Sequence, residues 1–414
     1  IIVTLLFIIG NTKIEKFFIN FDPCTYIVKK RFGESPMKLS WFSTIMLFGV
    51  LVIAGIFFDS EANPTADTAI SRHLPEPQIQ IPATAPAPRA PSLNARYACV
   101  MDADSGRILY NKKSEEKVPM ASTTKIMTAL LVLESHRQAD TVTSSSRASS
   151  MPKVRLGMRA GMQYRMSDLL YSLMLESHND TAVAIAEHIG HSVEGFASLM
   201  NKKAAEIGLS QTHFVTPNGL DADGHYSTAA DMCRLAAYAV RNKDFLSLVQ
   251  TKSHTFSDIS GKHRYSLSNK DAFLSYYEGA LGIKTGFTNK AGYCFVGAAG
   301  RSGITLTSCV LASGWPPNKS YKWVDTKSLM DYGFGNFYRT ELPIQDLSKA
   351  VIPVMDGRQE SVSLRPLPKI PVLLSRSDRL TITYDIPDTL YAPVRKETAV
   401  GLVSFYINDT LYRK

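Results

Sequence analysis

Hydrophobic and polar positions change period several times along this 414-residue chain, and each change marks an element. Residues 97–110 alternate and then turn: Tyr97-Ala-Cys-Val-Met, Asp102-Ala-Asp-Ser-Gly106, Arg107-Ile-Leu-Tyr. That pattern predicts a β-hairpin with a turn rich in Asp and Gly. From Ser122 to about Glu134 the period lengthens, with Ile126, Leu130 and Leu133 at helical spacing. Residues 167–175 predict a second apolar helix. Glu176-Ser177-His178-Asn179-Asp180 breaks it, and Thr181–Ile189 starts another. The segment Glu278-Gly-Ala-Leu-Gly-Ile-Lys284-Thr-Gly286-Phe-Thr reads as a strand, followed by hairpin strands at Gly292–Ala299 and Ile304–Ala312. From Leu342 alternation returns, with turns at Asp356-Gly357 and Asn408-Asp409.

The front of the chain follows other rules. No methionine precedes Met37, from which the sequence runs Met-Lys-Leu-Ser-Trp, an apolar run from Ile45 to Phe58, then Asp59-Ser60-Glu61-Ala62. A short basic start, a hydrophobic segment and a polar exit are the layout of a secretory signal. Translation is therefore expected to start at Met37, with residues 1–36 a non-native upstream extension and 37–62 a signal peptide or an N-terminal membrane anchor; a genuine extra membrane-proximal segment is the competing reading of 1–36. The apolar run from Trp41 to Phe58 is near the lower limit for a membrane span. Either way the body of the chain is expected to be exported. Residues 63–92, rich in Pro and Ala, read as an extended, poorly ordered linker.

Composition narrows the class. Apolar residues make up 45% and charged residues 20%, an ordinary globular balance. The net charge of +9 suits anionic cell-surface polymers and lipid headgroups. No Arg/Lys block is interleaved with aromatics, so nucleic acid is not an expected partner. Five cysteines (Cys24, Cys99, Cys233, Cys294, Cys309) show no metal-ligand spacing. A two-residue turn within Gly300-Arg301-Ser302-Gly303 would set Cys294 opposite Cys309, within disulfide reach in an oxidising compartment. Two small buried thiols are the simpler reading.

Three short motifs then fall in order: Ser122-Thr-Thr-Lys125, Ser177-His-Asn179 and Lys284-Thr285-Gly286. The first places a serine in the opening turn of an apolar helix, where free N–H groups favour developing negative charge. Lys125 lies three residues on, on the same face. A lysine shut in an apolar pocket near a second cation, here Lys284, loses proton affinity and can act as a base. The spacing alone is weak, since it recurs at Ser35/Lys38, Ser114/Lys117 and Ser150/Lys153. Only the Ser122 copy opens a long apolar helix. Helix capping is the plain alternative for Ser177 and Asn179, and an edge-strand charge that deters aggregation is the plain alternative for Lys284.

With all three motifs in order, the chain resembles the penicillin-recognising serine transferases. The words Pro119-Met-Ala-Ser122-Thr-Thr-Lys125, Thr216-Pro-Asn-Gly-Leu, Gly224-His-Tyr-Ser-Thr-Ala229 and Gly282-Ile-Lys284-Thr-Gly286-Phe-Thr-Asn-Lys-Ala-Gly-Tyr are similar to those of serine-type D-alanyl-D-alanine carboxypeptidases, the low-molecular-mass penicillin-binding proteins (peptidase S11). The resemblance is strong over about residues 95–335 and looser beyond 340. It implies an α/β fold of the β-lactamase/transpeptidase type, with an antiparallel five-stranded sheet flanked by helices. This catalytic domain would span 93–338, and a small C-terminal β-rich domain 339–414. Carried over residue by residue, Ser122 is the nucleophile, Lys125 its general base and Ser177 a proton relay to the leaving group. Asn179 binds the substrate amide, Lys284 tunes the field and Thr285 holds the terminal carboxylate. Gly286 permits close approach, and the N–H groups of Ser122 and Phe287 form an oxyanion hole. His178 fills a variable position. The implied reaction is release of D-alanine from a peptidoglycan stem peptide through an acyl-enzyme, with β-lactams as covalent inhibitors. No metal or organic cofactor is implied. The implied location is the extracytoplasmic face of the bacterial membrane or the cell wall, with the outer face of the cytoplasmic membrane as a partner surface.

Two departures stand out. Many members carry an arginine soon after the second hairpin strand, where this chain has Ser313-Gly-Trp315-Pro-Pro-Asn. Thr285 and Lys284 are therefore expected to carry more of the carboxylate binding. The tail ends at Tyr412-Arg-Lys without the amphipathic membrane-surface helix usual in the family, which reads as a truncated chain or one held by its N-terminus. A class A-type β-lactamase shares the motifs but needs a glutamate for deacylation, and no Glu-x-x-Leu-Asn segment lies between the second and third motifs. A D,D-endopeptidase differs only in substrate, and a non-catalytic wall-binding protein would not need complete motifs.

Overall fold

The computed structural model describes residues 76 and 78–414, together with the backbone course of three strands, Ile2–Ile8, Ile14–Asp22 and Thr25–Lys30. Those three strands pair antiparallel in sequence order in the first of two compact units. The expected start at Met37 and the export segment at 37–62 lie outside the described residues. Everything below concerns the second unit, Arg72–Lys414.

Its centre is a five-stranded antiparallel sheet built from β1 (Tyr97–Asp102), β2 (Ile108–Lys112), β3 (Ala280–Thr288), β4 (Gly292–Arg301) and β5 (Ile304–Leu311). The spatial order is β3-β4-β5-β1-β2. The strands on either side of the long helical insertion thus join in one sheet through the pairing of β5 with β1, with Cys309 opposite Cys99. Strand alternation sends Cys99, Met101, Val296 and Cys309 to one face and Ala98, Val100, Phe295 and Val310 to the other. The first face packs on helices α1 (Lys125–Glu134), α2 (Met166–Tyr171), α3 (Asn179–Gly190), α4 (Val193–Glu206) and α5 (Ala229–Ala239). The second packs on α6 (Tyr321–Asn336), through Leu329 and Met330. Strands covered on both faces bury nearly every side chain, as β4 and β5 do.

The β4–β5 turn falls one residue later than the sequence reading placed it. Arg301 pairs with Ile304, and Ser302 and Gly303 form the loop with φ of 48° and 74°. Two positive φ values are what a type I′ hairpin demands, and the glycine takes one of them without a Cβ penalty. Cys309 therefore pairs with Val296 rather than with Cys294. Cys99, Cys233, Cys294 and Cys309 are buried free thiols.

The C-terminal residues form a separate core of Leu342, Leu347, Val372, Leu374, Leu380, Ile382, Tyr384, Phe405 and Ile407. The expected turn at Asn408-Asp409 joins strands Leu402–Ile407 and Thr410–Arg413, again with two positive φ values. Within the segment read as linker, Gln78–Ile81 is a strand that pairs antiparallel with Leu380–Asp385, and Ile79 and Ile81 pack on this core. A largely buried ion pair joins the C-terminal sheet to the β1–β2 hairpin: Arg107 Nη2 lies 2.7 Å from Asp378 Oδ1. Among the described residues no helix is long and apolar enough to cross a membrane.

Candidate active site

Helix α1 is apolar around nearly its whole circumference, and eight of its ten residues are buried, as expected of a core helix. A tight turn, Ala121–Thr124, leads into it. Ala121 adopts φ 50°, an unfavourable region for a residue with a Cβ. The turn is held in place by side chains: the Thr123 hydroxyl donates to the Met120 carbonyl at 2.6 Å and the Thr124 hydroxyl to the Ala121 carbonyl at 2.8 Å. Beneath it, His225 Nε2 lies 3.0 Å from Thr124 Oγ1, while His225 Nδ1 accepts from the Val215 N–H at 3.0 Å. The tautomer follows: Nδ1 accepts, so Nε2 carries the proton. Burial, then His213, holds His225 down at about 4, so it is neutral at physiological pH.

The backbone itself is compressed here. A Cβ on Gly286 of β3 would lie 3.0 Å from the Ser122 nitrogen, and one on Gly219 (φ 81°) would lie 2.0 Å from the Ala121 carbonyl oxygen. Both glycines are required by close approach to the turn that carries Ser122.

Ser122 and Lys125 meet as the spacing implies. Lys125 Nζ lies 2.8 Å from Ser122 Oγ, 2.9 Å from Asn179 Oδ1 and 2.6 Å from the carbonyl oxygen of Asn218. Ser122 Oγ also lies 3.2 Å from that carbonyl. Lys125 is 0% exposed. Its proton affinity is pushed well below that of an ordinary lysine by burial and then by Lys284, against the opposing pull of Asp180. Two of its three neighbours, an amide oxygen and a backbone carbonyl, only accept. A neutral amine has two N–H groups to satisfy them and one lone pair left for the serine hydroxyl.

The second motif follows a widened, π-type turn, Ser172–Glu176, that continues from α2, a feature that recurs at functional sites. Ser177 is left-handed, at φ 70°, and its buried hydroxyl makes no hydrogen bond within the described protein. Capping does not account for this motif. Asn179 is the first residue of α3, and its side chain turns to Lys125 and to the Pro152 carbonyl instead of its own helix. His178 faces away, with Nδ1 2.8 Å from Ser172 Oγ.

The third motif lies on β3, the edge strand of the sheet. Lys284 is 2% exposed, so an exposed edge charge is not its role. Burial lowers it to about 8, against the pull of Asp271. Asp271 is itself raised to about 7 by burial. Thr285 is half-buried and pairs in register with Phe295. Phe287 is exposed, its ring tilted against that of Tyr293 with the centroids 4.7 Å apart. The three motifs therefore converge: Lys125 bonds both Ser122 and Asn179 and is acted on by Lys284, and Gly286 abuts the turn that carries Ser122.

Several supporting residues were missed. Asn218 acts through its backbone carbonyl, which no side-chain pattern reveals, although the Pro-Asn-Gly turn around it was visible. Asp180 was not singled out. Its carboxylate accepts from the N–H groups of Leu156, Gly157 and Met158 at 2.9, 2.8 and 3.1 Å. Lys322, only 3% exposed, stands where α6 begins, its ammonium 4.8 Å from the Tyr293 ring. It donates to the Lys319 carbonyl and forms no salt bridge among the described residues. Near the position of the missing arginine, Ser313 donates to Asp325 at 2.6 Å and Trp315 to the Asn289 carbonyl at 2.8 Å.

A helix-borne serine and lysine beside an asparagine and a lysine-bearing edge strand define a serine acyl-transfer enzyme of the penicillin-binding type. Comparison with known proteins agrees. The family Peptidase S11, D-alanyl-D-alanine carboxypeptidase, matches residues 84–314. D-alanyl-D-alanine carboxypeptidase DacC of Escherichia coli (strain K12) is 31% identical over 77% of this chain and 82% of its own length. DacF of Bacillus subtilis (strain 168), of the same description, is 29% identical over 74% and 80%. The crystal structure of penicillin binding protein 5 from Haemophilus influenzae superposes with a TM-score of 0.67 at 27% identity, covering 78% of this chain and 96% of that one. The chain belongs to the S11 family of D-alanyl-D-alanine carboxypeptidases. Its enzyme class is serine-type D-Ala-D-Ala carboxypeptidase, acting in peptidoglycan metabolism.

Proposed function

We propose that Ser122 carries the acyl group. The Ser122 oxygen attacks the carbonyl carbon of the penultimate D-alanine while the neutral Lys125 amine takes the hydroxyl proton. The resulting oxyanion lies between the N–H groups of Ser122 and Phe287, and such donors typically contribute about 10²–10³ in rate. Ser177 relays the proton to the departing D-alanine nitrogen, so the C–N bond breaks to an amine and an ester remains on Ser122. Water then cleaves the ester and returns the proton to the Lys125–Ser122 pair. Asn179 holds the amide on the acyl side, Thr285 the terminal carboxylate, and Gly286 lets strand and substrate approach the Ser122 turn. Lys284 keeps positive potential near the carboxylate and Lys125 poor in protons.

The observation that carries this reading is the environment of Lys125: fully buried, touching Ser122 Oγ, with its other two contacts made to oxygens that only accept. The free hydroxyl of Ser177 supports a relay that waits for substrate. Ser122→Ala is expected to abolish both D-alanine release and covalent benzylpenicillin labelling. Labelling that persists would remove Ser122 from the role.

β-Lactams acylate the same serine and leave slowly. Glu176, the carboxylate beside the second motif, is taken up by Lys270 at 3.0 Å and by the Ser268 N–H at 3.0 Å, which disfavours a β-lactamase-like deacylating role. Family membership supports work on the cell wall outside the cytoplasm. Residence at the outer face of the cytoplasmic membrane, held through residues 37–62, is the finer part of the proposal.

A further inference from the structure

The loop from Met151 to Met158 is braced from beneath by residues of the site. The carbonyl oxygens of Pro152 and Val154 both accept from Asn179, the first from Nδ2 at 3.3 Å and the second from the backbone N–H at 2.8 Å. The next three N–H groups, from Leu156 to Met158, donate to Asp180. Met151 Sδ accepts from Asn218 Nδ2 at 3.8 Å. Asn179 and Asn218 are the two residues that also bond Lys125. One amide side chain therefore separates this loop from the Lys125 nitrogen.

Lys153 and Arg155 stand on that brace. Lys153 lies between the two residues tied to Asn179, and Arg155 between Val154 and Leu156, which is tied to Asp180. Both cations are exposed, with Val154 between them 54% exposed. Neither forms a salt bridge among the described residues, whereas nearby Arg147 is paired with Glu194 at 2.9 Å. Asp221, on the loop that follows Asn218, is engaged by the Thr288 hydroxyl at 3.0 Å. Fixing an exposed loop costs conformational entropy. Here the fixing groups hold the backbone that carries two unpaired cations and an apolar side chain close to Asn179, and a loop whose backbone is already ordered has less entropy to lose on binding a ligand.

We infer that Lys153 and Arg155 form a specificity subsite for the stem-peptide residue that precedes D-Ala-D-Ala, and that they favour a side chain ending in a free carboxylate over one ending in an amine alone. The inference rests on the reading of Asn179 as the holder of the acyl-side amide. With that amide at Asn179, the preceding residue reaches the loop that Asn179 braces. Val154 supports the aliphatic part of the side chain, and the two cations meet its charge. Exposed charge pairs are individually weak, so the effect is a preference and not an absolute requirement.

The test is kcat/KM for D-alanine release from two peptides that differ only in this residue, diaminopimelic acid in one and lysine in the other. The wild type is expected to favour the diaminopimelic peptide about fivefold at low salt, with the ratio falling towards one as salt screens the charges. The double variant Lys153→Glu/Arg155→Glu should reverse the preference, with an unchanged melting temperature confirming the fold. Equal kcat/KM in the wild type, or a preference that survives in the double variant, overturns the subsite. If the wild type releases no D-alanine from either peptide, the carboxypeptidase reading fails first and the subsite falls with it.

Discussion

A methyl group on Gly286 would sit 3.0 Å from the backbone nitrogen of Ser122. The edge strand and the turn that carries the nucleophile are thus in contact, and the cleft between them has one width. Gly286→Ala should push the strand away from an N–H that belongs to the proposed oxyanion hole. The neighbours must give by a few tenths of an ångström, so the expected result is a fall in kcat bounded by about 10²-fold, the cost of a misplacement of about 1 Å, with a stability cost of about 1–3 kcal/mol from overpacking. A variant with wild-type kcat would show that the strand can retreat without consequence.

The two buried lysines set the pH dependence. Lys125 must be neutral to accept the Ser122 proton, so acylation rises with pH through its depressed pKa. Lys284 is lowered to about 8, so its charge disappears as pH climbs past that value, and carboxylate binding weakens with it. A bell-shaped profile of kcat/KM is expected, with its alkaline limb near 8. Lys284→Gln should remove that limb. It should also move the acid limb upward, because the cation that repels the Lys125 proton is gone. Coincident profiles for the two proteins would contradict the coupling.

His225 ties stability to pH in the opposite part of the range. Its folded value of about 4 lies below the ordinary 6.5. The folded state therefore binds fewer protons than the unfolded chain between these values. Stability is fully present above 6.5 and is lost as pH falls towards 4, by up to about 3 kcal/mol. Melting temperature against pH should drop more steeply over this window in the wild type than in His225→Gln, which has no imidazole to charge. Parallel curves would mean that the histidine is protonated at no cost.

Arg107 and Asp378 join the two sheets, and their side chains are 12% and 4% exposed. Asp378 also accepts from the Ser375 N–H and Asn408 Nδ2, at 2.7 and 2.8 Å. Arg107→Ala leaves that carboxylate short of its cation, and removal of one partner of a buried pair costs about 3 kcal/mol or more. A lower first transition in calorimetry, with benzylpenicillin labelling retained, is the expected outcome. An unchanged melt would make the contact incidental.

Much of this site is legible in the chain because its chemistry depends on side chains at short spacings. Ser122 and Lys125 share one helical turn, and Ser177 and Asn179 share one break between helices. Lys284 and Gly286 lie on one face of a strand. Other parts depend on what the sequence does not display. The Asn218 carbonyl is a backbone group. Asp180 shows no sign of its role because the N–H groups it accepts from lie 22–24 residues earlier in the chain. Gln78–Ile81 reads as linker because its partner strand is some three hundred residues away, and Pro and Ala on either side carry no period. The β4–β5 register slipped because either Arg301-Ser302 or Ser302-Gly303 could serve as the two-residue loop, and only the second places a glycine at one of its positive φ angles.

The central claim is that the acyl group rests on Ser122. Intact-protein mass spectrometry after exposure to benzylpenicillin, followed by peptide mapping, tests it most directly. The account predicts one stoichiometric adduct on the peptide that carries Ser122 and none in Ser122→Ala. An adduct on another residue, or one undiminished in the variant, would contradict it.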